Sequence, residues 1–221
     1  MDKPLLYGAI LSPFVRKVMV FAREKNIEFE LKSVMLGDPD PAFRAVSPFG
    51  KMPALQHGEL KLPDSSAIVQ YLEALHPDPA LIPADPAERG MTIWYDEFAD
   101  TILFECIRKL FFNRVVRPLV QGQAGDEALA AHTEAEELPP ILDWLETQSP
   151  ESHYLVADRL TLADIAVASA LANLNHASQI LSADRYPRTA AYAAALHARP
   201  SFAGILAAET RFLDKRRAAA T

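Results

Sequence analysis

The sequence predicts a small α/β domain followed by an all-α domain. Three observations carry that expectation. Residues 1–78 mix strand-like and helix-like apolar periodicities, and a proline-rich stretch covers the expected linker, 79–87. Across residues 88–221 every apolar pattern has helical spacing and none alternates as a strand does.

The elements follow in order. Residues 3–8, Lys-Pro-Leu-Leu-Tyr-Gly, form a short buried strand ending at Gly8. Ser12-Pro13 then opens a helix over residues 13–25, with Val15, Val18, Met19 and Ala22 on its apolar face. Ser is among the best N-cap residues and Pro is favoured at the first helical position. In "NIEFELKSV" Ile27, Phe29 and Leu31 alternate with charged neighbours, the period of a half-buried strand. A loop, "LGDPDPAF", leads into a short helix near Ala42 to Val46, and "KMPALQHGELKLP" forms a hairpin turning at Gly58. "DSSAIVQYLEAL" closes the domain as a helix capped by an Asp or Ser, with Ile68, Leu72 and Leu75 on one face. The order β-α-β then β-β-α is that of a thioredoxin-like domain.

Beyond the linker, Trp94, Phe98, Ile102, Cys106 and Leu110 recur every four residues within a long helix over residues 88–120. Further helical patterns near 126–148, 161–177, 187–198 and 201–214 make about five helices in all. In "LTLADIAVASAL", Thr161 as N-cap and Asp164 three positions on make a capping box, and Leu160 with Ile165 a hydrophobic staple.

Composition narrows the function. A net charge of −7 leaves no basic surplus for nucleic acid, and the run Lys215-Arg216-Arg217 reads as a helix-end complement. No apolar run is long enough for a membrane span, and the Met-Asp-Lys-Pro start shows no signal-peptide pattern. The single cysteine, Cys106, excludes an internal disulfide and a Cys-x-x-Cys pair, and no metal-ligand spacing is present. A reducing, cytoplasmic location is expected.

Four motifs, "SPFVRK" (12–17), "SPFGKMPAL" (47–55), "DSSAI" (64–68) and "LTLADI" (160–165), occur in an order and spacing that resemble the cytosolic glutathione transferases, in particular a serine-type, bacterial-like member. The resemblance covers essentially the whole chain. It implies a glutathione-binding thioredoxin-like domain (1–78), a linker (79–87) and a helical domain (88–221) that contributes the pocket for a small, mostly apolar electrophile. It also implies glutathione as co-substrate, a homodimer and a role in detoxification. Ser12 then matches the catalytic serine that donates a hydrogen bond to the glutathione thiolate, although the plain N-cap reading stands beside it. Tyr7, from the first strand, is the rival donor and otherwise a core aromatic. Met52 and Pro53 match the binding strand and its cis-proline, and Asp64 with Ser65 matches the acidic-Ser pair for the γ-glutamyl end, or simply caps a helix. Relatives often carry basic or amide residues ahead of the "KMP" stretch to hold the glycine carboxylate. Here Asp38 and Asp40 occupy that region, leaving Lys51 as the nearby substitute. Phe104, Arg108 and Phe112 are the candidate electrophile residues, or core. Alternatives are a glutathione-dependent isomerase, dehalogenase or peroxidase of the same architecture, and a non-catalytic protein-binding member. "LSPFVRK" lacks the Ser-Ser-Cys run of the isomerase type, and Cys106 lies too far along the chain to be an active-site thiol there.

Overall fold

A computed structural model describes residues 3–150 and 154–220. Met1 and Asp2, the start of the N-terminal reading, lie outside the described residues. The chain divides into two compact units, Met1–Ile82 and Pro83–Thr221, a division that falls within the expected linker.

In the first unit the order is β1 (Leu5–Gly8), α1 (Pro13–Glu24), β2 (Glu30–Ser33), α2 (Pro41–Val46), β3 (Ala54–His57), β4 (Leu60–Pro63) and α3 (Ser65–Leu75). The four strands make one sheet in the order β2-β1-β3-β4. β1 runs parallel to β2 and antiparallel to β3, and β3 and β4 form the hairpin expected around Gly58. This is the thioredoxin-like arrangement. Alternation along β1 sends Leu6 to one face, where it lines a small packing void with Val18, Leu55 and Leu72. Tyr7 goes to the other face, into a cluster with Phe43, Val46 and Ala54.

The expected linker is less loose than its prolines suggest. Lys25, whose side chain is fully buried, ends α1 by donating to the carbonyls of His76 (2.6 Å) and Pro79 (2.7 Å) and by pairing with Glu73 (2.7 Å). The other oxygen of Glu73 accepts the Ile82 amide. No periodicity announces these contacts, because they run from a side chain to loop carbonyls.

The second unit has no strand among its described residues, and its α-helices are α4 (Pro86–Glu97), α5 (Phe104–Phe111), α6 (Glu127–His132), α7 (Leu138–Gln148), α8 (Leu162–Ala177), α9 (Pro187–His197) and α10 (Pro200–Ala220). The long helix expected over 88–120 is continuous from α4 through α5, but it widens into π-type turns at Phe98–Leu103 and Phe112–Gln121. Pro118 lies inside the second of these and supplies no N–H to the ladder. α8 is the core helix, buried from Leu162 to Leu174. Its capping box is present: Asp164 Oδ2 accepts the Thr161 amide (2.9 Å) and hydroxyl (3.2 Å). Asp164 Oδ1 accepts the Leu155 amide (2.8 Å) and the Tyr192 hydroxyl (3.1 Å), so one carboxylate ties α8 to the preceding loop and to α9.

Candidate functional site

The site residues of the first unit are positioned by two helix starts and one strand entry. β1 ends at Gly8, where a Cβ would stand 2.4 Å from a methyl of Val15. Only a bare Cα lets the first turn of α1 pack this close to the strand end. The chain turns over Ala9–Ser12, closed by the Ser12 amide on the Ala9 carbonyl (3.1 Å). Ser12 is extended (φ −76°, ψ 125°) and Pro13 begins the helix. Ser12 Oγ accepts the Val15 amide at 3.4 Å, a long capping bond. A hydroxyl that accepts retains its own proton to donate, and it sits where the helix presents its positive end.

The second piece is the entry to β3. The Met52–Pro53 peptide bond is cis. Met52 Sδ accepts the Ala9 amide at 3.1 Å, and the Pro53 carbonyl accepts the Asp64 amide at 3.3 Å. The Lys51 side chain is exposed while its carbonyl is held by the Ser47 hydroxyl (2.7 Å).

The third piece is the start of α3. Asp64 adopts φ 81°, ψ 134°, an uncommon conformation for a residue with a Cβ. Its Oδ1 accepts the amides of Ser66 (2.9 Å) and Ala67 (3.1 Å). Ser65 is buried behind it, and Lys17 Nζ, from α1, donates to Ser66 Oγ at 3.2 Å. The links Ser12–Ala9–Met52 and Pro53–Asp64 are thus consecutive. Backbone strain of this kind is most often kept where a ligand is held.

Residues 6–80 match the family model for the glutathione S-transferase N-terminal domain, and residues 109–209 match the model for its C-terminal domain. The chain is 33% identical over 204 residues to a glutathione S-transferase of Hyoscyamus muticus, covering 89% of this chain and 94% of that one. It belongs to the glutathione S-transferase family. As a member it is an enzyme, a glutathione transferase. Among solved structures, a glutathione S-transferase of Rhodospirillum rubrum F11 superposes with a TM-score of 0.83 at 25% identity, covering 91% of each chain. Glutathione S-transferase I bound with lactoylglutathione does so with a TM-score of 0.82 at 25% identity, covering 93% of this chain and 99% of that one.

The remaining candidates have other surroundings. Tyr7 is 2% exposed, its ring 5.9 Å from that of Phe43 with Lys32 Nζ 5.4 Å above it. The acidic stretch is engaged in its own loop. Asp40 caps α2 through the Ala42 amide (2.8 Å) and pairs with Lys32 (2.7 Å), which holds its carboxyl below the usual range. Asp38 accepts the Met35 and Asp40 amides. Arg44 grips the carbonyls of Asp38 and Gly37 and lies against Gly50, whose φ of +64° and absent Cβ make room for the guanidinium.

In the second unit, Phe104 is buried and Phe112 half-buried. Arg108 holds Glu105 with two bonds, 3.1 Å and 2.6 Å, so its charge is already matched. Cys106 is buried, and burial, aided by Glu137, pushes its thiol up to about 11. Among the described residues no helix is long and apolar enough to cross a membrane, and no cluster suits a metal ion. Sequence reasoning passed over Lys17, Ser66 and the Met52 thioether. Lys17 lies on α1 beside the apolar stripe, where a lysine ordinarily reaches solvent, and nothing local signals its partner.

Proposed function

We propose that this transferase is a serine-type, bacterial-like member that conjugates glutathione to small, mostly apolar electrophiles, with Ser12 as the thiolate donor. The observation that carries the reading is the placement of the Ser12 hydroxyl at the start of α1, tied through Ala9 to Met52 beside the cis-proline. A free thiol titrates near ~8.5, so few glutathione molecules carry the thiolate at neutral pH. The Ser12 O–H, at a positive helix end, stabilises the sulfur anion, and the thiol proton leaves to solvent. The thiolate then forms a C–S bond at the electrophilic carbon, and either a leaving group departs with its bonding pair or the π pair of the attacked double bond moves to the neighbouring atom, which takes a proton from solvent.

The backbone of Met52 pairs with the peptide portion of glutathione as an added strand, with Pro53 turning it outward. Asp64 takes the γ-glutamyl ammonium, Ser65 takes the γ-glutamyl α-carboxylate through its hydroxyl and amide, and Lys51 takes the glycine carboxylate. Engagement of Asp38 and Asp40 within their own loop is consistent with Lys51 having that role. Phe104, Arg108 and Phe112 contact the electrophile. The reading includes a detoxifying role in a reducing, cytoplasmic compartment and a homodimer, supported by Phe49, 88% exposed on the first unit, and by Trp94, 42% exposed on the second.

Retention on immobilised glutathione and conjugation of a chloronitrobenzene test the reading together. Retention with turnover is expected. Absence of binding at millimolar glutathione would overturn it in favour of a non-catalytic, protein-binding member.

A further inference from the structure

A thioether is a weak hydrogen-bond acceptor, yet Met52 Sδ takes the Ala9 amide at 3.1 Å, joining residues 43 positions apart. Ala9 opens the turn into α1, and its carbonyl accepts the Ser12 amide at 3.1 Å. The sulfur therefore anchors one end of the turn whose other end is Ser12. This is a side-chain bond, separate from the Met52 backbone beside the cis-proline.

A thioether is also an acceptor that chemistry can remove. A hydroperoxide gives its distal oxygen to sulfur: a sulfur lone pair forms the S–O bond and the O–O bond breaks. The proton of that oxygen passes to the leaving oxygen, which departs as water or an alcohol. Oxygen placed on the accepting lone pair has no room at 3.1 Å from the amide. Oxygen placed on the other lone pair leaves the sulfur positive, facing an N–H that it formerly accepted. Either product breaks the tie to Ala9.

The other sulfurs are placed differently. Met52 is half-buried, whereas Met19 is buried at 6% exposure. Met35 (51%) and Met91 (48%) are exposed, but they belong to the loop after β2 and to α4. Cys106 is buried with its thiol pushed up to about 11, so little thiolate is present to react.

We propose that Met52 is a positioning residue whose thioether sets the Ser12 hydroxyl, and that its conversion to the sulfoxide by a hydroperoxide shuts down transfer. This rests on the reading of Ser12 as the thiolate donor. Met52 acts through the turn, so the loss falls on the thiolate and on turnover, not on glutathione affinity.

The test treats the purified full chain with hydrogen peroxide, removes the peroxide, and follows kcat, KM for glutathione and the pH–rate profile with a chloronitrobenzene. Peptide mass spectrometry reads the sulfoxide fraction at each methionine. At full Met52 oxidation kcat should fall roughly 3- to 10-fold, the range for losing one hydrogen bond, with KM within about twofold. The apparent pKa of the bound thiol should rise with it, and the loss should track Met52 rather than Met35 or Met91. Met52→Leu keeps the bulk without the acceptor. It should start with the lowered kcat and raised thiol pKa and lose nothing further to peroxide. In Ser12→Ala, oxidation of Met52 should change nothing more, because the group it positions is gone. If Met52→Leu does not fold, the mass-spectrometric correlation and Ser12→Ala decide.

Full activity with Met52 oxidised, a loss that tracks another sulfur, a loss carried in KM, or an equal loss in Ser12→Ala overturns the proposal. If the untreated chain neither binds glutathione nor turns over, the glutathione reading fails and the role of Met52 with it. If untreated Ser12→Ala matches wild type, the donor reading fails and takes this proposal with it. If both readings hold and peroxide leaves kcat unchanged, only the role of Met52 fails.

Discussion

Ser12 Oγ accepts a capping bond at 3.4 Å, long enough that the helix gains little from it, and its proton remains to be placed. A hydroxyl that served only as a cap would show its loss as stability, typically ~1 kcal/mol. The thiolate role predicts a different split. Ser12→Ala should raise the apparent pKa of the bound glutathione thiol and cut turnover while leaving glutathione affinity largely intact, as read from pH–rate profiles beside KM. Full activity with reduced thermal stability would return Ser12 to the capping role. Asp64→Ala should act the other way, raising KM for glutathione more than it lowers kcat, and an unchanged KM would remove Asp64 from the site. At the other end of the chain, Asp164 is a residue whose burial pushes its carboxyl up to about 6, against an ordinary 3.8, despite four donors pulling down. The folded protein therefore binds this proton more tightly than the unfolded chain does. Its stabilising contribution is full below pH ~4 and is lost as pH rises through about 6. Urea denaturation of wild type and Asp164→Asn at pH 4.5 and 7.5 should show the difference between them moving against the wild type at the higher pH.

At the scale of elements, two side chains hold ends that secondary structure leaves open. Asp164 joins the α8 capping box to the Leu155 amide and to Tyr192, so Asp164→Ala should cost more than a typical cap and lower stability more than activity. Lys25 gathers the last carbonyl of the α3 turn, the Pro79 carbonyl and the Glu73 carboxylate at the end of α1. Lys25→Met leaves Glu73 without its partner, and removing one member of a buried pair costs about 3–5 kcal/mol. Chemical denaturation should show that loss, and residues 76–82 should exchange amide hydrogens faster. An unchanged midpoint would mean that the linker is held by Leu81 and Ile82 burial alone. The Asp164 box was legible in "LTLAD", because capping is a short-range pattern with fixed spacing. The Lys25 tie was not, because its acceptors are loop carbonyls 51 and 54 residues away.

For the whole molecule, a homodimer predicts a sedimenting species of twice the 24.4 kDa chain. Phe49→Ser should shift it toward monomer, given that Phe49 leaves 88% of its surface uncovered in the single chain. A wild-type chain that sediments as monomer at micromolar concentration would end that reading. The sequence by itself determined the element order, the change from α/β to all-α, the hairpin at Gly58 and the caps at Ser12, Asp64 and Thr161. Periodicity, turn residues and cap spacing are set by neighbours within a few positions, so they are written locally. It also singled out Ser12, Met52, Pro53, Asp64 and Ser65 through motifs that each lie in one short stretch. Only the tertiary structure decided that Tyr7 points into the α2 side of the sheet, since β1 could have put either face there. It alone showed that Asp38 and Asp40 are consumed by their own loop, that Arg108 is already matched by Glu105, and that Lys17 reaches Ser66. Each of those outcomes depends on which partner a charged or aromatic side chain meets after folding, and a partner distant in sequence leaves no mark on the residues beside it.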